Sequence, residues 1–124
     1  MAKQVKDIWN VVEREVYVRH ADMCKVFSHP KRLAVINILR DGEMGVSELA
    51  KRLNAAIGNL SQHLNMMKQR QILTTRKVGN AVYYRLAYPE MLKAVDILKE
   101  ILFEQIRSNG LLMDRLERQR ARKR

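Results

Sequence analysis

The chain has 124 residues, enough for one domain with a modest core and too few for a second. Lysine and arginine number 24 against 13 acids, a net charge of +11, which suits a polyanionic partner, either nucleic acid or an anionic membrane surface. A single cysteine, Cys24, excludes an intramolecular disulfide and a cysteine-rich zinc site, and no apolar run approaches the roughly 20 residues that span a bilayer. With no signal-peptide core in "MAKQVKDIWN", a cytoplasmic protein is expected.

Residues 5 to 27 carry Val5, Ile8, Trp9, Val12, Val16, His20, Met23, Cys24 and Phe27 at 3.6-residue spacing, which predicts a long amphipathic helix. "SHPK" (Ser28 to Lys31) interrupts it, because Pro30 disfavours helix in the residue before it and suits the first turn of the next. A second helix follows through "KRLAVINILRDG", with Leu33, Ile36 and Leu39 or Arg40 along its face and Gly42 as its stop. "EMGVSELAKRLN" predicts a short third helix capped by Ser47, with Leu49, Ala50 and Leu53 as the buried stripe.

The fourth helix, running to about Gln71, poses a question. Its stretch "NLSQHLNMM" mixes amides and hydroxyls with leucines and methionines. At about 100° per residue, Ile57, Leu60, Leu64 and Met67 gather on one side. Gly58, Asn59, Gln62, Asn65 and Met66 point the other way, with Ser61 and His63 on the flanks. An ordinary surface helix would carry Glu and Lys there. Short neutral donors and acceptors instead suit the base edges of a major groove, where Asn and Gln match adenine. Two short helices joined by a few residues, the second polar on its outer face, follow the helix-turn-helix pattern.

The period then changes to two. "ILTTRKV" and "AVYYRLAY" flank Gly79-Asn80, a two-residue hairpin signal, and Arg76, Lys77 and Arg85 place cations on it. The last helix begins at Pro89. Its residues Met91 to Ile106 are apolar around well over half the circumference, so one side needs a partner beyond the domain. A homodimer paired through the first and last helices is expected. After Asn109-Gly110 a short amphipathic piece (Leu111, Leu112, Leu116) fades into "RLERQRARKR", where six basic residues face one acid. Such a run reads as a solvated tail that can also track phosphates.

The expected fold is mainly α with one β-hairpin, in the order α-α-α-α-β-β-α: a winged helix-turn-helix. Residues 1–27 would form the N-terminal dimerisation helix, 28–88 the DNA-binding core and wing, 89–108 the second dimerisation helix and 109–124 the basic tail of a single domain. Asn59, Gln62 and His63 are expected to read bases and Ser61 to anchor a phosphate, while Arg76, Lys77 and Asn80 contact flanking backbone of double-stranded DNA. Two readings from other classes compete: a basic helical adaptor for protein or membrane, and a sequence-independent, nucleoid-type DNA binder. An adaptor has no need of an amide-rich helix followed by a basic hairpin. Enzyme readings fail for want of a Gly-rich phosphate loop, a nucleophile elbow or paired carboxylates.

"FSHPKRLAVINILRDGEMGVSELAKRLN", "LSQHLNMMKQRQIL" and "RKVGNAVYYRL", in this order and spacing, resemble the ArsR/SmtB family of small dimeric repressors over roughly residues 21 to 103. The resemblance implies a homodimer of winged helices that blocks a promoter until a signal releases it. Gly45 and Ser47 stand where the family's metal sensors carry Cys-x-Cys, and residues 89 to 108 contain no histidine for the alternative site. No metal and no cofactor are therefore expected. Ala56 and Ile57 replace the Ser and Gln common at the start of the recognition helix, which leaves more of the base reading to Asn59 and Gln62. His20 and Cys24, four apart with His29 nearby, have the spacing of a metal or redox site. On an apolar stripe, however, a lone cysteine is ordinarily a small hydrophobe.

Overall fold

A computed structural model of the chain describes the backbone of residues 2–123; the side chains of 1–9 and 111–113 are outside the described residues, and with them Val5, Ile8, Trp9, Leu111 and Leu112. The elements are α1 (Ala2–Cys24), α2 (Pro30–Ile38), β1 (Met44–Gly45), α3 (Val46–Leu53), α4 (Ile57–Gln69), β2 (Leu73–Val78), β3 (Ala81–Leu86), α5 (Met91–Ser108) and α6 (Gly110–Arg122). Short 3-10 turns follow α1 at Lys25–Ser28 and α2 at Leu39–Asp41. The chain divides into two compact units, one ending at Tyr88 and one beginning at Pro89.

In the first unit α4 packs against α2, α3 and β2. Val35, Ile36, Leu39, Leu49, Leu60, Leu64, Met67, Ile72 and Leu73 make its core. Pro30 opens α2, where its missing N–H and fixed φ cost nothing. Asn54 ends α3 in the left-handed region at φ 50, a conformation that asparagine tolerates better than most residues. The hairpin pairs Val78 with Ala81 around Gly79-Asn80, and Gly79 takes φ +59, which a side chain would resist. This is a helix-turn-helix followed by a wing. No described helix is long and apolar enough to cross a membrane.

Several local expectations are corrected. Met44 and Gly45 leave the third helix and pair with Tyr84 and Tyr83 of β3, giving a three-stranded sheet in the order β1-β3-β2. Gly45 rather than Ser47 therefore occupies the N-cap of α3. Two residues are too short to show a period, so only the partner strand reveals this one. Along α2 the buried face is Val35, Ile36 and Leu39, while Leu33 is exposed. Ile57 is 51% exposed, because it opens α4 and burial begins one turn later at Leu60. Met66 turns inward to Arg32, whose Nη1 lies 2.8 Å from its sulfur.

The second unit is a helical pair. The basic tail is not an unstructured run, since Gly110 to Arg122 is helical. "RLERQRAR" is made of good helix formers, and α6 packs along α5. A cavity of about 410 Å³ between the two is lined by Phe103, Ile106 and Leu116, with Arg120 and Lys123 at its rim. On α5 only Val95 and Ile106 are buried, whereas Ile97, Leu98, Ile101, Leu102 and Phe103 are at least half exposed.

The burial pattern makes a contrast testable. Leu64→Ala should lower unfolding free energy by about 2–5 kcal/mol, because Leu64 is fully buried and its removal leaves a cavity. Ile57→Ala, on the same sequence stripe, should change it by no more than about 0.5 kcal/mol. Urea denaturation of the two variants measures both.

Candidate nucleic-acid interface

Leu60, Leu64 and Met67 lie within about 60° of arc on α4, and all three are fully buried. That seam fixes the rotation of the helix. Gly58, Asn59, Gln62, Asn65 and Gln69 are consequently exposed, and Ser61 and His63 are half-buried on the two flanks. From Ile57 to Gln69 the only charged residue is Lys68. The exposed surface of α4 is therefore a row of amides without a field of its own.

His63 packs its ring on His29, with centroids 4.4 Å apart and planes tilted by 45°. His29 is the N-cap of α2, and its Nδ1 accepts a hydrogen bond from the Lys31 N–H at 3.1 Å. The two rings thus join the first turn of α2 to the middle of α4. Desolvation holds the His63 pKa below its ordinary 6.5, and His29, Arg32 and Lys31 push it in the same direction. Reasoning along the sequence missed this cluster, because nothing local pairs position 29 with position 63. Arg32 Nε is buried there without a hydrogen-bond partner.

On the wing, Lys77 and Asn80 are exposed. Arg76 is already engaged. Its guanidinium pairs with the Glu43 carboxylate, the Nε–Oε2 distance being 3.1 Å, and its Cζ stands 5.5 Å from the Tyr83 ring centre. The hydrogen bond from Arg76 holds the Glu43 carboxyl below its usual range. Arg85 Nε donates to Thr74 Oγ1 at 3.0 Å. Lys77 and Arg85 are thus wing cations that can turn to a new anion without breaking an ion pair among the described residues.

At the other end of α4, Arg70 forms an ion pair with Asp22 and donates from Nη1 to the Asp22 carbonyl at 3.1 Å. This ties the end of α1 to the C-cap of α4. His20 and Cys24 are exposed on α1 rather than sunk in a core stripe. Among the described residues, no group of three or more His, Cys, Asp or Glu is placed to hold a metal ion.

The profile described as "Bacterial regulatory protein, arsR family" matches residues 29–75, which span α2 to the start of the wing. The transcriptional activator HlyU of Vibrio cholerae is 30% identical over 79 residues, covering 64% of this chain and 73% of that protein. The biofilm growth-associated repressor of Xylella fastidiosa is 32% identical over 85 residues, covering 68% and 75%. Among solved structures, HlyU from Vibrio cholerae aligns with a TM-score of 0.62 at 28% identity, covering 68% of this chain and 92% of that one. The transcriptional repressor BigR from Xylella fastidiosa aligns at 0.61 and 28%, covering 82% and 95%.

The histidine pair sets a pH dependence. Above 6.5 His63 is neutral both folded and unfolded, and the packing is intact. As the pH falls below 6.5 the unfolded chain takes up its proton first, so stability declines until the lower folded value has been passed. Thermal melts between pH 7.5 and pH 5 should show a steeper loss for wild type than for His63→Gln, where ~2.5 pH units bracket the His transition.

Proposed function

This chain belongs to the arsR family of bacterial regulatory proteins, and from that premise we propose that it is a homodimeric repressor that binds a specific double-stranded DNA operator. The observation that carries the reading is the seam of Leu60, Leu64 and Met67, which turns Asn59 and Gln62 outward on a helix with almost no charge. Amide side chains at a groove floor form paired hydrogen bonds with bases and discriminate between them. Ser61 anchors a phosphate. His63 serves from the flank, where its other side is held by His29. Lys77 and Asn80 meet flanking backbone, and Arg76 acts mainly by holding the wing to Glu43.

This division of labour favours a sequence-specific protein over a nucleoid-type binder, which would place cations rather than amides on the exposed helix. It is a reading of binding, not of catalysis, and its setting is the cytoplasm, where the operator is. The inducing signal acts through the dimer rather than through a metal, since Gly45 and Ser47 offer no thiolates.

The second copy covers the apolar faces that one chain leaves open. Ile97, Leu98, Ile101, Leu102 and Phe103 on α5 and Val12, Val16, Tyr17 and Met23 on α1 are all exposed. Apolar faces of this width, one on each helix, are surfaces that a partner covers. Solved relatives of the fold include one described as a homodimeric winged helix-turn-helix DNA-binding domain.

Two experiments bear on this. In-vitro selection should yield a preferred duplex, on which Gln62→Ala loses about 1–3 kcal/mol and relaxes the sequence preference. Lys77→Ala should instead weaken all duplexes alike and lower the salt slope by about one unit per protomer. An unchanged specific-to-random ratio in Gln62→Ala would remove α4 as the reader. Separately, wild type should sediment as a dimer, whereas Leu102→Asp should sediment as a monomer that binds the selected duplex far more weakly. Wild type remaining monomeric at micromolar concentration contradicts the dimer.

A further inference from the structure

Helix α6 holds four arginines against two acids, and three of the arginines share one side. Arg115, Arg118 and Arg122 stand at i, i+3 and i+7, which places them within about 60° of arc on one side of the helix. Leu116, Arg120 and Lys123 line the cavity toward α5 and lie on the other side. The three arginines are exposed, and among the described residues none has an acidic partner, although Asp114 and Glu117 belong to the same helix. A stripe of like charges left open in this way repels itself. Asp114, four residues before Arg118, borders the stripe, and one acid does not offset three arginines.

We propose that the Arg115–Arg118–Arg122 stripe of α6 is a second DNA contact, a clamp on the phosphate backbone. The assignment rests on the proposed DNA-binding function and adds to it a surface that carries adhesion without sequence preference. Guanidinium is the side chain best matched to phosphate, because its planar fork donates two parallel hydrogen bonds. Seven residues of helix rise about 10.5 Å. Phosphates of one strand advance about 3.4 Å each along the duplex axis while winding around it, so a straight stripe of this length reaches about two to three of them through long, flexible arginines. The helix contributes rigidity. Three arginines on a fixed face lose less freedom on binding than the same three on a coil.

The test compares wild type with the triple variant R115Q/R118Q/R122Q on two duplexes, the selected site and a random sequence of equal length, each titrated with salt. Both affinities should fall by the same factor, and the slope of log affinity against log salt should become shallower by between about two and three units per protomer. The triple Arg→Lys variant should keep most of the slope, because charge rather than shape sets it. Circular dichroism and sedimentation confirm that helicity and dimer are retained. Should the triple glutamine variant misfold, R118Q alone should remove about one unit per protomer.

An unchanged slope on both duplexes overturns the clamp, and so does a loss confined to the selected duplex. Unchanged duplex binding, with lost binding to phosphatidylglycerol vesicles, overturns it in favour of a lipid surface. Gln62→Ala keeps the two readings apart. It alters sequence preference and not slope, so failure of base reading and failure of the clamp appear in different measurements.

Discussion

The outward face of α4 follows from how the helix is clamped. Leu60, Leu64 and Met67 are sealed against α2, α3 and β2, and a helix held by three side chains along one narrow seam cannot roll. A roll of one residue, about 100°, would bury amides and expose leucine. Burying an amide without a partner costs on the order of 1–3 kcal/mol, and each leucine lost from the core costs a similar amount again. The same packing that stabilises the fold therefore orients the amides, and no dedicated device is needed. His63 on His29 adds a second brace from the flank, and Arg70 on Asp22 a third from the end.

A separation of tasks follows. The outward row of α4 is almost neutral, while the cations sit on the wing, on the first turn of α2 and on α6. Neutral hydrogen-bonding groups respond to which base is present and little to ionic strength. Cations respond to phosphate density and to salt, and not to sequence. Arg76 belongs to neither group. Its partner is Glu43, just before β1, so its charge is spent on tying β2 to that end of the sheet across β3 rather than on the solvent side of the wing.

The architecture was legible where the pattern was long. The seam of α4, the hairpin around Gly79-Asn80 and the apolar excess of α5 are periodic signals over many residues, and they locate their elements within two or three residues. The missed features are of two kinds. Some are short, like the two-residue β1, whose existence is decided by Tyr83 and Tyr84 some forty positions later. Others are contacts between distant positions: His29 with His63, Arg70 with Asp22, Arg76 with Glu43. The helicity of α6 was hidden for a different reason. Net charge suggested a solvated coil, but Arg, Gln, Leu and Ala are good helix formers whatever their charge.

The strand order β1-β3-β2 has a consequence for the chain as it leaves the ribosome. Both helices of the helix-turn-helix lie between β1 and the strand that pairs with it, so they form a loop whose two ends are closed by one short ladder, Met44 to Tyr84 and Gly45 to Tyr83. Synthesis runs from the N-terminus, and β3 is made only after α3, α4 and β2. Helix α4 therefore emerges before the strand that closes its loop, and its mount is complete only once the wing has been translated. A chain stopped short of Ala81 would hold all the amides of α4 and no closed frame to present them on.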